Sequence, residues 1–137
     1  MAGMKQTATS CPWRNALILI VPVLIAGCLT QQPEAAPPVS ESQFITIRQQ
    51  YMASDPMARV GLVIDVLPDA HLASVGSVPT KDFHEGDVIT FIDSNQATLT
   101  MGHVETIDPK FLVVRYDPPG PKGRIPAVGD MAVRAIY

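Results

Sequence analysis

Between position 59 and the end of the sequence, no stretch free of turn-forming residues is long enough for a domain helix, yet β-branched residues are dense throughout. Residues 59–67, Arg-Val-Gly-Leu-Val-Ile-Asp-Val-Leu, form the densest such run. Branching at Cβ suits a pleated, half-buried surface and costs a helix side-chain freedom. Pro68-Asp69 then signals a tight turn. A weaker second strand is expected over 71–78, followed by a polar loop over 79–85. A third strand is expected over 87–93, a fourth over 98–107, a fifth over 111–116 and a sixth over 131–137. The breaks at 94–96, 108–110 and 118–127 are rich in Ser, Asn, Asp, Pro and Gly. Six short strands at near-regular spacing predict a mainly β fold, a small antiparallel barrel or sandwich.

Two of the strand entrances echo each other. Glu85-Gly86-Asp87-Val88 and Val128-Gly129-Asp130-Met131 each place Gly-Asp directly before a strand. Glycine accepts a positive φ without steric cost, and aspartate bonds its own neighbouring backbone. Gly86, Asp87, Gly129 and Asp130 are therefore expected to be structural turn residues, with equivalent corners recurring in one sheet.

Ahead of the strands, Phe44, Ile47 and Tyr51 fall at i, i+3 and i+7 among good helix formers. One short helix is predicted over 42–53, with Ser42 as its N-cap and Asp55-Pro56 as its stop. Residues 29–43 are rich in Pro, Ala, Ser, Gln and Glu and hold little to bury. They read as a disordered tether.

The first residues have a different character. Lys5 and Arg14 are the only charges before an unbroken apolar run at 16–26. A positive start, a short apolar core and small residues after it describe a secretory signal peptide, and a spanning helix needs about 20 apolar residues. The run closes on Leu24-Ile25-Ala26-Gly27-Cys28. This resembles the lipobox of bacterial lipoproteins, formed here by Ile25, Ala26, Gly27 and Cys28. The resemblance implies cleavage before Cys28, lipidation of its thiol and attachment to a membrane by three acyl chains. The expected organisation is a signal peptide at 1–27, a lipidated cysteine and tether at 28–41, and a helix-plus-barrel domain at 42–137. An uncleaved N-terminal anchor is the competing reading, and the state of the native N-terminus separates the two.

Composition narrows the partners. All 13 acidic residues follow Cys28, whereas two of the 10 basic residues, Lys5 and Arg14, precede it. The chain after the leader therefore carries a net side-chain charge of −5 and no basic cluster, which excludes nucleic acid as an expected partner. The same charge leaves membrane binding to the acyl chains. The two cysteines are Cys11, inside the leader, and Cys28, so no disulfide is expected to hold the domain.

A second resemblance rests on Val63-Ile64-Asp65-Val66, Leu72-Ala73-Ser74-Val75-Gly76, Glu85-Gly86-Asp87-Val88, Gly102-His103-Val104 and Val128-Gly129-Asp130. Over residues 59–137 the chain is similar to small barrel domains of bacterial envelope proteins, such as the C-terminal barrel of the flagellar outer-ring protein. The similarity implies a structural or protein-interaction module in the cell envelope, with an unidentified envelope protein as partner. The lipobox rule that an aspartate after the cysteine retains a lipoprotein at the inner membrane finds Leu29 instead. That implies an outer-membrane destination where one exists, with the domain facing the periplasm or the outside.

The residues that could carry chemistry are His71, His84, Glu85, Asp87, His103 and Glu105. His103 and Glu105 alternate along the fourth strand and so share a face about 7 Å apart. Meeting His84 and Asp87, they would make a His/His/carboxylate metal site and a small metal-dependent envelope hydrolase. No HExxH spacing supports that alternative, no G-x-S-x-G elbow offers a serine nucleophile for a catalytic triad, and no cofactor motif is present. Asp65 and Asp69 flank a turn and are expected to be capping or solvated. The segment 117–124, with three prolines and two glycines, is either a docking loop or a stiffened connection.

Overall fold

The computed structural model describes residues 36–135. The leader, the lipobox, Cys28, most of the tether and the last two residues of the expected sixth strand lie outside them. One helix, α1 (Glu41–Ser54), precedes six strands: β1 (Arg59–Leu67), β2 (Leu72–Gly76), β3 (Val88–Ile92), β4 (Thr98–Ile107), β5 (Leu112–Tyr116) and β6 (Met131–Arg134). All pairings are antiparallel, and the strands close into a barrel in the order β1-β2-β5-β4-β3-β6. The choice left open between barrel and sandwich is thus resolved as a barrel. Strands β3, β4 and β5 form a meander, and β6 returns beside β3 to complete a Greek key. Among the described residues no helix is long and apolar enough to cross a membrane.

Closure depends on bending the two longest strands. Register shifts interrupt β1 between Val63 and Asp65 and β4 between Val104 and Thr106, leaving Ile64 and Glu105 as extra residues. Such bulges increase twist and let a sheet curl on itself. The interior is filled by Val63, Ala73, Val75, Ile89, Phe91, Leu99, Val104, Leu112, Val114, Tyr116 and Ala132. Phe83 joins them from the segment expected to be a plain polar loop.

Helix α1 lies on the outside. Phe44 and Ile47 pack on Val60, Ile92, Met131 and Val133, with Tyr51 and Leu62 at the margin. The i, i+3, i+7 stripe is therefore the contact face, as its spacing requires. The cap differs from expectation: Ser40, not Ser42, starts the helix. Gln43 N–H donates to Ser40 Oγ (3.3 Å), and Ser40 N–H donates to Gln43 Oε1 (3.1 Å). This reciprocal box needs serine three positions before a Glu or Gln, which Ser40 has and Ser42 lacks. The chain is already seated before the cap. Val39 N–H donates to Gly129 O at 3.0 Å, so the segment expected to be free tether up to residue 41 joins the barrel from Pro38 onward.

The echo seen in the sequence extends to the whole barrel. Gly86 and Gly129 have φ of +94° and +96°. In the first corner Asp87 N–H donates to His84 O, and Asp87 Oδ2 accepts from His84 N–H. In the second, Asp130 and Ala127 make the same two bonds. Gly86 N–H and Asp87 O clamp Val104 of β4, while Gly129 N–H and Asp130 O clamp Val63 of β1. Each clamped valine immediately precedes a bulge.

The strand registers follow the same rule. Ile89 pairs with Gly102 as Ala132 pairs with Gly61, and a Cβ at either glycine would collide with a carbonyl, Arg115 O at 2.5 Å or Gly76 O at 2.8 Å. Strands β1-β2-β3 and β4-β5-β6 are thus two copies of one unit related by a pseudo-twofold axis. The axis passes through the β2·β5 and β3·β6 ladders, where equivalent strands pair with each other.

Candidate functional site

The expected chemical residues fall at several places on the barrel. His71 closes the Pro68–Ala70 turn with φ of +56° and stacks on Tyr116, ring centroids 5.5 Å apart. Asp69 sits in that turn, and Asp65 bonds Val66 N–H. Glu85 is exposed beside Gly86. His103 and Glu105 share the outer face of β4, as their alternation requires. Glu105, however, is held by Arg115, with Nε to Oε2 at 2.7 Å and Nη2 to Oε1 at 3.0 Å.

Asp87 is likewise occupied. Its Oδ2 accepts from Arg134 Nη1 at 3.1 Å as well as from His84 N–H at 2.9 Å. The four residues His84, Asp87, His103 and Glu105 therefore do not form a ligand set, because both carboxylates are committed to guanidinium groups. Among the described residues no three His, Cys, Asp or Glu side chains gather closely enough to hold a metal ion.

Arginines were absent from the expected site and organise what is there. Arg134, buried at the end of β6, donates to Asp87, to Asp82 O and to Met57 O, and its guanidinium lies 4.5 Å from the Phe83 ring centre. Arg59 donates through Nε to Asp82 Oδ2 at 2.9 Å. The second corner has its own partner: Arg124 grips Asp130 with two bonds of 2.7 and 2.8 Å. Asp130 is 3% exposed and the Arg124 side chain 16%, so the carboxylate is buried while the guanidinium side of the pair is partly open to water. The hydrogen bond from Arg124 to Asp130 outweighs its desolvation and holds the guanidinium above its ordinary pKa. The only sequence signal for these pairs was an aspartate locked in a turn, which needs a cation once buried.

Two of the grooves on the outer surface flank strands β3 and β4. One, of about 570 Å³, lies where β5 diverges from β4 at Asp117 and the 118–123 loop arches over Leu99 to Met101. The loop returns close to the backbone: a Cβ at Gly123 would fall 2.1 Å from Leu99 O. The segment expected as docking loop or connection is therefore one wall of this groove. The other, of about 380 Å³, is lined by Met57, Asp82, His84, Asp87, Val88, Arg134 and Ala135. Between the two grooves, the β3–β4 surface exposes Val88 and Met101.

These features define a class: a pseudo-twofold, six-stranded Greek-key barrel with one outer helix and ion-paired Gly-Asp corners. Among protein-family models and curated proteins, nothing matches the sequence.

Proposed function

We propose that this chain is a bacterial envelope lipoprotein whose small barrel is a structural or protein-interaction module held at a membrane by acyl chains on Cys28. The observation that carries the reading is the run Leu24-Ile25-Ala26-Gly27-Cys28 closing an apolar stretch. The barrel is compatible with it. Its buried charges are tied into corners, and its accessible features are apolar surface and shallow grooves, which suit docking better than bond chemistry. The similarity to small envelope barrels such as the flagellar outer-ring domain belongs to the same proposal, as does an outer-membrane address through Leu29.

The tether fits this role. Ten residue steps lead from Cys28 to Pro38, so the lipidated end lies within about 35 Å of the barrel at full extension. The test is expression of wild type and Cys28→Ser with intact-mass analysis of the mature N-terminus. Wild type is expected to begin at an acylated Cys28 and to float with membranes. The serine variant is expected to retain its leader or become soluble. A serine variant that matures and stays membrane-bound like wild type would refute the proposal.

A further inference from the structure

We propose that the outer face of β3 and β4 is a docking site for an amphipathic α-helix from a partner protein. The pseudo-twofold carries the argument. Helix α1 covers Val60 and Leu62 of β1 with Val133 and Met131 of β6. Val60 pairs with Val133 as Met101 pairs with Thr90, and Leu62 pairs with Met131 as His103 pairs with Val88. The counterpart of the α1 seat is therefore Met101, His103, Thr90 and Val88. In the first seat Val60 and Met131 are 2% and 0% exposed; in the second, Met101 and Val88 are 47% and 51% exposed. Met57, also exposed, extends the apolar surface beside Val88. One of two equivalent seats carries a helix and the other is bare.

The occupant's chemistry follows from the seat that is filled. The strand spacing and outward side chains accept a helix with large apolar residues at i, i+3 and i+7, as α1 presents Phe44, Ile47 and Tyr51. The chain's own α1 cannot serve, because only residues 55–58 join it to β1. A second copy's α1 is also engaged, since Phe44 and Ile47 are each 6% exposed on their own barrel. Glu85, just before the first corner, and Asp117, whose N–H bonds Met101 O, border the face, and so do Arg115, paired with His103, and Lys122 in the groove beside Met101. The rim thus carries both signs, and the occupant is selected by its apolar stripe, in the spacing that α1 presents to the equivalent seat. His103 in place of Leu62 makes this seat more polar than its twin, which favours reversible association. The proposal does not depend on lipidation at Cys28.

The test uses the full chain, labelled on its methyl groups, and a synthetic peptide of residues 40–55 as probe. Saturable NMR shifts are expected at Val88, Met101 and Met57. Met101→Asp is expected to weaken binding about tenfold or more, and a peptide with Phe44→Ala and Ile47→Ala to lose it. Met101 is exposed, so that variant leaves the fold intact. Absence of saturable shifts on this face, shifts confined to Val60, Leu62 and Val133, or indifference to Met101→Asp would each overturn the proposal. So would a concentration-dependent dimer abolished by Met101→Asp while the peptide leaves the face unperturbed, since the occupant would then be a second copy.

Discussion

At the scale of single residues, Tyr116 and the two corner glycines are informative. Tyr116 fills the barrel interior, 2% exposed, edge-on to Phe91, and its hydroxyl has no hydrogen-bond partner among the described residues. Burial first, and the nearby Asp69 carboxylate second, push its pKa above the usual tyrosine value. The folded state therefore resists ionisation, while the unfolded chain ionises near pH 10. Stability should be intact below that pH and fall as pH rises above it, until the folded tyrosine itself ionises. Tyr116→Phe removes a buried hydroxyl without leaving a partner unpaired. It is expected to keep or raise stability at pH 7, by up to about 1–2 kcal/mol, and to flatten the alkaline loss. Urea unfolding at pH 7 and pH 11 checks both. The glycines separate backbone strain from crowding. A Cβ at Gly86 meets nothing within 4 Å, whereas one at Gly129 falls 2.4 Å from Pro38. Gly86→Ala is expected to cost about 1–2 kcal/mol, the left-handed penalty alone. Gly129→Ala should cost more and weaken the Val39–Gly129 bond, which amide exchange at Val39 would reveal. Equal costs for the two would contradict this account.

Among elements, the corners and the helix divide the work. Asp130 is buried and answers both Arg124 and Ala127 N–H, whereas Asp87 is more accessible. In the Asp87 pair it is the arginine that is buried. Asp130→Ala loses both Arg124 bonds and the Ala127 N–H bond but leaves Arg124 partly open to water, whereas Asp87→Ala strands Arg134, 8% exposed, with only Asp82 O and Met57 O as acceptors. Each variant is therefore expected to cost about 2–4 kcal/mol. Chemical denaturation measures both, and a cost under about 1 kcal/mol for Asp87→Ala would show that the two carbonyls satisfy Arg134 without its carboxylate. The sequence made these corners legible as Gly-Asp repeats, because their geometry is local. It did not reveal Arg124 and Arg134 as the counter-ions, because an arginine's partner is set by which strands become neighbours. The cap of α1 lay between these cases: the Ser40–Gln43 box was readable, but the tether composition around it pointed to a later start.

At the scale of the whole molecule, α1 is a cover on a barrel that closes without it. All six strands pair with both neighbours independently of the helix. Phe44→Ala deletes the main anchor of α1 on Val60, Met131 and Val133. It is expected to cost about 3–5 kcal/mol. Much of that loss should appear as local release of the helix, with hydrogen exchange accelerated over 41–54 while the barrel strands stay protected. Uniform acceleration across all strands would mean that helix and barrel form one cooperative unit. Local release of α1, by contrast, would leave both pseudo-equivalent seats bare on a folded barrel.

Chain-local chemistry was enough to set the β-rich content, the strand spans to within a few residues, the contact stripe of α1 and the turn role of Gly86, Asp87, Gly129 and Asp130. These depend on interactions between neighbours in the chain, where side-chain branching, periodicity and backbone freedom act directly. Only the tertiary structure decided closure into a barrel, the pseudo-twofold and the pairing of Glu105 and Asp87 with arginines distant in sequence. It also decided the survival of one uncovered helix seat. Those outcomes depend on which strands lie side by side, and that is fixed by the mutual burial of the whole interior, with Phe83 arriving from a loop and Ile64 and Glu105 bulging so that the sheet can close.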